Sequence, residues 1–171
     1  MIYLGIGSNS GNRYQNIQRA IRALSQTQNI NIVCVSSIYE TTPLGGPKQN
    51  NFLNVVLQIE TDFIPKQLLK ITKIIEKDLG RRTKAKRWGP RIIDIDILIY
   101  HNLELHSSEL TIPHPRMHER YFVLVPLSEI APRVIHPVFK KTIKRLKQDI
   151  DKVTNESVKK FVPDKQNNCR A

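Results

Sequence analysis

Nine consecutive residues, Ile92-Ile-Asp-Ile-Asp-Ile-Leu-Ile-Tyr100, are apolar except for two aspartates set two positions apart. So dense a run of β-branched side chains reads as a strand with a core face. Side chains alternate across a strand. Ile93, Ile95, Ile97 and Ile99 are therefore expected on one core face, and Asp94 and Asp96 together on the other, with attachment points about 7 Å apart. Two carboxylates at that spacing can share a pair of hard cations. On a solvated face they would be simple decoration, but inside an apolar nonapeptide each carries a desolvation cost that calls for a partner.

Charge shows where partners lie. The net charge is +12, and the excess sits in two segments. Residues 77 to 91 hold seven basic and one acidic side chain, and residues 138 to 171 hold ten basic and four acidic. The first cluster, Arg81-Arg-Thr-Lys-Ala-Lys-Arg-Trp-Gly-Pro-Arg91, runs directly into the aspartate strand. Basic groups beside paired acids suit a cation-bridged polyanion, with metals between carboxylates and phosphates and Arg or Lys on the remaining oxygens. The second cluster reads as a solvated helix face.

The chain has 171 residues, the size of one domain with room for a proper core. No run approaches the ~18 apolar residues of a membrane span, so the expectation is a soluble, cytoplasmic protein. Cys34 and Cys169 offer neither a disulfide framework nor a zinc spacing.

Along the chain, Ile2 to Gly7 reads as a strand, followed by a helix with Tyr14, Ile17, Ile21 and Leu24 at helical spacing. Ile30 to Ser37 and Leu53 to Thr61 read as strands joined by a long loop. A helix from Pro65 follows, with Leu68, Ile71, Ile75 and Leu79 as its stripe and Gly80 as its stop. The aspartate strand comes next. This β-α-β-β-α-β order predicts an α+β, ferredoxin-like sheet with helices on one side. Short strands near Glu104 and Thr111 could extend the sheet, and Arg120 to Ile130 reads as a helix interrupted by Pro126.

Neither the dinucleotide fingerprint nor the Gly-Lys-Ser/Thr phosphate loop occurs, and no nucleophile elbow is present. The connection from Tyr39 to Asn51 is longer than most loops of compact domains. At its end Phe52 and Asn54 share a strand face, an aromatic plate beside an amide that suits a flat polar heterocycle; the same spacing fits an ordinary strand start with Phe52 in the core. His114 stands between Pro113 and Pro115, with Arg116 and Arg120 nearby, a rigid placement for a ring nitrogen against a phosphate.

Gly7-Ser-Asn, Tyr39-Glu-Thr with Pro43-Leu-Gly, Phe52-Leu-Asn, Gly80-Arg, Arg87-Trp-Gly-Pro-Arg with Asp94-Ile-Asp, and Pro113-His-Pro-Arg with Arg120 and Phe122-Val-Leu together resemble the 6-hydroxymethyl-7,8-dihydropterin pyrophosphokinases of folate biosynthesis. The resemblance covers about residues 2 to 137. It implies transfer of the pyrophosphoryl group of ATP to the hydroxymethyl oxygen of the pterin, with release of AMP, on a ferredoxin-like fold that uses two Mg2+ ions. It implies Asp94 and Asp96 as metal ligands and Arg81 and Arg91 as catalytic arginines. Phe52 and Phe122 are the implied pterin plates, Asn54 its hydrogen-bonding partner, and Thr41, Thr42, Pro43 and Leu44 the rest of its edge. Lys73, Glu76, Lys84, Trp88, Ile97, Thr111, His114 and Arg120 are implied on the nucleotide side, Trp88 within a loop that closes over the site.

The chain departs from the family pattern where Phe52 stands at a position that a tyrosine also takes, Thr83 in place of a loop arginine, and Lys73 in place of a neutral amide. Two other classes fit part of the sequence. A basic ferredoxin-like sheet could bind RNA, but the aromatic strand signature of such modules is missing. A two-metal phosphodiesterase would want further Asp, Glu or His ligands.

Beyond the resemblance, Phe139, Ile143, Leu146, Ile150 and Val153 form a helical stripe expected to dock on the chain's own domain, which predicts a monomer. Residues 1 to 154 are read as one catalytic domain and 155 to 171 as a disordered basic tail. The expected partners are small molecules, with no nucleic acid and no membrane.

Overall fold

The computed structural model describes residues 1–43, 49–81, 89–154 and 157–163. Leu44, Lys84 and Trp88, the departure at Thr83, and the closing loop over 82–88 lie outside them. In chain order come β1 (Ile2–Ser8), α1 (Arg13–Gln26), β2 (Ile30–Val35), β3 (Tyr39–Thr41), β4 (Phe52–Thr61), α2 (Pro65–Asp78) and β5 (Asp94–Tyr100). After these follow β6 (Leu105–His106), β7 (Thr111–Ile112), α3 (Tyr121–Ile130), α4 (Ile143–Asp151) and β8 (Val158–Lys160). The main sheet is antiparallel and runs β5-β1-β4, with β2 and β3 sharing the far edge of β4 and β8 outside β3. This is the expected ferredoxin-like arrangement, enlarged at one edge.

Helix boundaries follow from local chemistry. Asn12 caps α1 by accepting the Gln15 N–H at 3.1 Å, and Ile17, Ala20 and Leu24 are buried. Pro65 opens α2, where a missing N–H costs nothing. At its end Gly80 takes φ +96°, the Gly80 N–H donates to the Lys77 carbonyl and the Arg81 N–H to the Glu76 carbonyl, both at 2.9 Å. This Schellman turn stops the helix and folds Arg81 back toward Glu76.

The helices are not all on one side. Helices α1 and α2 cover one face of the sheet over Ile6, Leu57, Ile95 and Ile97, whereas α3 and α4 cover the other over Tyr3, Val56, Leu98 and Ile99. An apolar second sheet face requires this cover. Ile99 also departs from expectation. Leu4 pairs with Ile97 but Tyr3 with Ile99, so Leu98 is an extra residue, and the bulge moves Ile99 to the face opposite Ile93, Ile95 and Ile97. Strands β6 and β7 form a separate two-stranded sheet and do not extend the main one.

Helix α3 passes through Pro126 without ending. Helix α4, capped by the Thr142 hydroxyl, packs on α3 through Ile143 and Leu146, as the stripe predicts, but Phe139 and Val153 fall outside it and are exposed. The expected disorder after Thr154 does not hold for 157–163. Edge pairing on β3 and packing of Phe161 into the α1 side of the core order that segment despite its polar composition.

Candidate active site

Gly5 and Gly7 lie on β1, between β4 and β5. Gly7 pairs with Asn54 on one side and Asp94 on the other, and Gly5 with Val56 and Asp96. Two rows thus cross the sheet, each with a carboxylate at one end and no side chain in the middle. A Cβ on Gly7 would sit 2.9 Å from Asn54 Oδ1, and one on Gly5 would sit 3.3 Å from Leu98. The glycines clear the floor of a cleft of about 1080 Å³, counted with its open mouth, on the α3 face of the sheet.

On the β5 side Asp94 and Asp96 both line the cleft, as the alternation predicts. They differ in partners. Asp94 accepts Arg81 Nη1 at 2.6 Å on Oδ1 and Arg91 Nη1 on Oδ2. Burial pushes its carboxyl up, but Arg91, Arg81 and Lys73 together outweigh this and hold it below the usual range. Asp96 has Arg120 Nη1 at 3.8 Å and His114 Nε2 at 3.9 Å, both beyond hydrogen-bonding range. Burial, then the neighbouring Asp94 charge, push its carboxyl up. A desolvated carboxylate with no close donor among the described residues, two residues from another, is a fitting oxygen-donor set for a hard cation. Among the described residues no group of three or more His, Cys, Asp or Glu side chains converges. The pair would therefore leave most coordination positions to water and phosphate, the preference of Mg2+.

Behind the pair lies a buried clamp. Glu76 Oε1 accepts the Ile95 N–H at 2.7 Å, Lys73 Nζ at 2.9 Å and Arg81 Nη1 at 2.5 Å. It ties α2 to β5 between the two aspartates and aims Arg81 at Asp94. On the opposite flank His114 Nδ1 accepts the Arg116 N–H at 3.2 Å, and Arg120 Nη1 lies 3.3 Å from its Nε2. Burial lowers the His114 pKa against the pull of Asp96.

On the β4 side Phe52, Asn54, Thr41, Thr42 and Pro43 line the same cleft, with Phe122 and Val123 of α3 across from them. Phe52 is thus a cleft wall and not a core residue. Asn54 Nδ2 donates to the buried Thr41 hydroxyl at 2.8 Å, and the Arg120 guanidinium lies 5.7 Å from the centre of the Phe122 ring.

Of the residues singled out from sequence, Thr41, Thr42, Pro43, Phe52, Asn54, Arg91, Asp94, Asp96, Arg120 and Phe122 share one cleft. Arg81, Lys73, Glu76 and His114 stand behind or beside the carboxylates. The Ile97 side chain is buried under α1 and α2, away from the cleft, and Thr111 is on β7, which packs against β5. Sequence reasoning gave no site role to Gly5, Gln49 or Leu98, which also line the cleft, nor to Gly7 and Asn9 of the quoted Gly7-Ser-Asn motif; Arg116, placed near His114 from sequence, is in the lining too. Asn9 is buried; its Oδ1 accepts the Arg91 N–H at 2.7 Å, its N–H donates to the Arg91 carbonyl at 3.0 Å, and its Nδ2 donates to Gln49 Oε1 at 2.9 Å. The alternation of Gly5 and Gly7 within a strand was the available signal.

The family model for 7,8-dihydro-6-hydroxymethylpterin-pyrophosphokinase (HPPK) matches residues 3–132. A 2-amino-4-hydroxy-6-hydroxymethyldihydropteridine pyrophosphokinase from Aquifex aeolicus is 43% identical over 148 residues, 86% of this chain and 91% of that one. Its Bacillus subtilis counterpart is 45% identical over 132 residues, 77% of this chain and 78% of that one. Among solved structures, an HPPK-DHPS in complex with substrates superposes with a TM-score of 0.66 at 19% identity, over 86% of this chain and 43% of that one. A Plasmodium falciparum HPPK-DHPS triple mutant gives 0.68 at 17%, over 86% and 42%. This chain spans less than half the length of those two solved chains, and the likeness to them is one of fold.

Proposed function

Because the chain belongs to the 7,8-dihydro-6-hydroxymethylpterin-pyrophosphokinase family, we propose that the cleft between β4, β5 and α3 is where it works, with the pterin on the Asn54 side and the ATP phosphates on the Asp94 and Asp96 side. The enzyme transfers the pyrophosphoryl group of ATP to the hydroxymethyl group of 6-hydroxymethyl-7,8-dihydropterin, a step of folate biosynthesis, and releases AMP. In that transfer a bond forms between the hydroxymethyl oxygen and the β-phosphorus, and the bond from that phosphorus to the oxygen bridging it to the α-phosphate breaks.

The observation that carries this assignment is the shared floor: the row through Gly7 sets Asn54 one strand away from Asp94, the row through Gly5 carries Asp96, and Phe52 and Phe122 line the same cleft. Phe52 and Phe122 would sandwich the pterin, while Asn54, oriented by Thr41, would read its polar edge. Asp94 and Asp96 would hold two Mg2+ ions, which supply charge neutralisation to the phosphates when bound. Arg81 and Arg91, which donate to Asp94, would meet phosphate oxygens and offset the charge that moves with the transferred group. Asn9 fixes the backbone of Arg91 and through Gln49 ties it to the pterin wall. Arg120 and His114 would meet the triphosphate, and Lys73 and Glu76 would set the geometry of Arg81 and β5.

We read the protein as a monomer acting in the cytoplasm, with residues 1–154 and β8 as one catalytic unit. Supporting the monomer, Ile143 and Leu146 of α4 are buried within the chain; among the described residues no helix is long and apolar enough to cross a membrane.

The assignment is tested by separating the two sides kinetically. Phe122→Ala should raise the pterin KM about ten-fold or more with little change for ATP, on the scale of a lost aromatic contact. Arg91→Ala should slow the single-turnover step about 100-fold with ATP affinity little changed. Equal effects of both variants on both substrates would remove the assignment.

A further inference from the structure

The pterin wall begins at β3, a strand of three residues, Tyr39–Thr41. So short a strand paired on one edge alone would be marginal. Its inner edge pairs with β4, Thr41 opposite Phe52 and Tyr39 opposite Asn54. Its outer edge is closed by β8, with Thr41 opposite Val158, Glu40 opposite Lys159 and Tyr39 opposite Lys160. The next residue locks the pairing. The Phe161 N–H donates to the Ile38 carbonyl at 2.8 Å, and the Phe161 ring packs into the core with its centre 6.0 Å from that of Tyr14 on α1.

Two further groups hold β3 at other points. Glu129 of α3 accepts Ser37 N–H at 3.0 Å, Ser37 Oγ at 2.8 Å and Tyr39 Oη at 3.0 Å. Arg13 of α1 donates to Glu40 Oε1 at 2.6 Å and to the Asn51 carbonyl at 2.8 Å. These fix the start and middle of the strand. Its end, Thr41, is where the site needs order, because the Thr41 hydroxyl accepts Asn54 Nδ2 and the chain continues directly into the cleft-lining Thr42 and Pro43. At that end the outer edge is held by β8.

We propose that the C-terminal strand β8, anchored by Phe161, is a positioning element of the pterin side of the active site: it holds β3 so that Thr41 stays on Asn54 and Thr42 and Pro43 stay on the cleft wall. The family match ends at residue 132, well before β8. The inference rests on the assignment of the Thr41 to Asn54 wall to the pterin. It also implies an asymmetry, since the Asp94 and Asp96 side is built from β5, α2 and the segment before α3, which β8 does not pair with.

The test compares Phe161→Ala in the full chain and a chain ended after Thr154 with the unaltered enzyme. Phe161→Leu serves as the conservative variant and Phe52→Ala as the control for the wall. The expected result is an increase of about ten-fold in the pterin KM for Phe161→Ala and the truncated chain. The ATP KM and kcat should stay within about two-fold, and Phe161→Leu should restore the pterin KM. An unchanged pterin KM in both variants, with Phe52→Ala raising it, overturns this inference and leaves the wall assignment standing. If Phe52→Ala also leaves the pterin KM unchanged, the assignment and the inference fall together. A parallel worsening of both KM values and kcat that tracks a fall in Tm would make β8 merely structural and also overturn the proposal.

Discussion

Asp94 and Asp96 sit two residues apart on one strand face, yet they hold opposite positions in the charge network. Asp94 is the anchor of two guanidiniums, and among the described residues Asp96 has none within hydrogen-bonding distance. Loss of Asp94 leaves Arg81 and Arg91 without their shared acceptor, whereas neutralising Asp96 relieves a desolvated charge beside another of the same sign. Both Asp94→Asn and Asp96→Asn should abolish turnover. Their stabilities should separate: Asp94→Asn is expected to lose about 1–3 kcal/mol, and Asp96→Asn to keep or raise Tm. Thermal unfolding of the two variants without ligands checks this, and an equal fall for both would mean the pair is one structural unit. The shared face of these aspartates was legible because strand alternation depends only on sequence parity. Their unequal partners were not legible, since Arg81 reaches Asp94 through a helix stop and Arg91 through the local turn into β5.

At the level of elements, the sequence marks what has a period and misses what is created by pairing. α1, α2, β1, β4 and β5 each carry a stripe or a run long enough to read. β3 has three residues inside a loop, and β8 is two lysines and a valine in a polar tail; only edge pairing on a neighbour makes them strands. The Leu98 bulge belongs to the same class, because the mismatch with β1 resets the parity and carries Ile99 to the other face. The α3 to α4 connection holds one more such feature. His136, buried at 2% exposure, accepts the Val138 and Phe139 N–H groups on Nδ1, lies tilted against the Phe139 ring and edge-on to His118, and among the described residues has no partner for Nε2. Burial, then the neighbouring His118, lower its pKa to about 4. A histidine depressed from 6.5 in the folded state binds its proton more readily when unfolded. Its contribution is therefore full above about pH 6.5 and lost as pH falls through about 4, by up to about 3 kcal/mol. Stability measured from pH 7 to 4 should fall in that window. His136→Asn, whose Oδ1 can take the same two N–H groups, should flatten the fall, and an unchanged slope would assign it to other groups.

For the molecule as a whole, the three layers divide the work. α1 and α2 bury the side of the sheet that carries no chemistry, apart from Lys73 and Glu76, the carboxylate of the latter joining α2 to the β5 backbone and to Arg81. α3 and α4 cover only part of the other face, and the uncovered part, floored by Gly5 and Gly7, is the cleft. The basic excess divides in the same way. Lys141, Arg145 and Lys147 of the C-terminal region are engaged with Asp149 and Asp151 on an exposed helix face, while Arg81, Arg91 and Arg120 stand around the aspartate pair. The central claim is that both substrates meet over one glycine-cleared floor, the pterin at the Asn54 end and the phosphates at the Asp96 end. Backbone and Asn side-chain amide NMR of the enzyme with Mg2+, titrated with 6-hydroxymethyl-7,8-dihydropterin and then with a non-hydrolysable ATP analogue, tests it most directly. The account predicts that the pterin shifts the amides of Gly7, Phe52 and Phe122 and the Asn54 side chain, and that the nucleotide then shifts Gly5, Asp94, Asp96 and Arg120. Pterin-induced shifts that leave Gly7 and Asn54 unmoved, or nucleotide shifts that bypass Asp94 and Asp96, would contradict it.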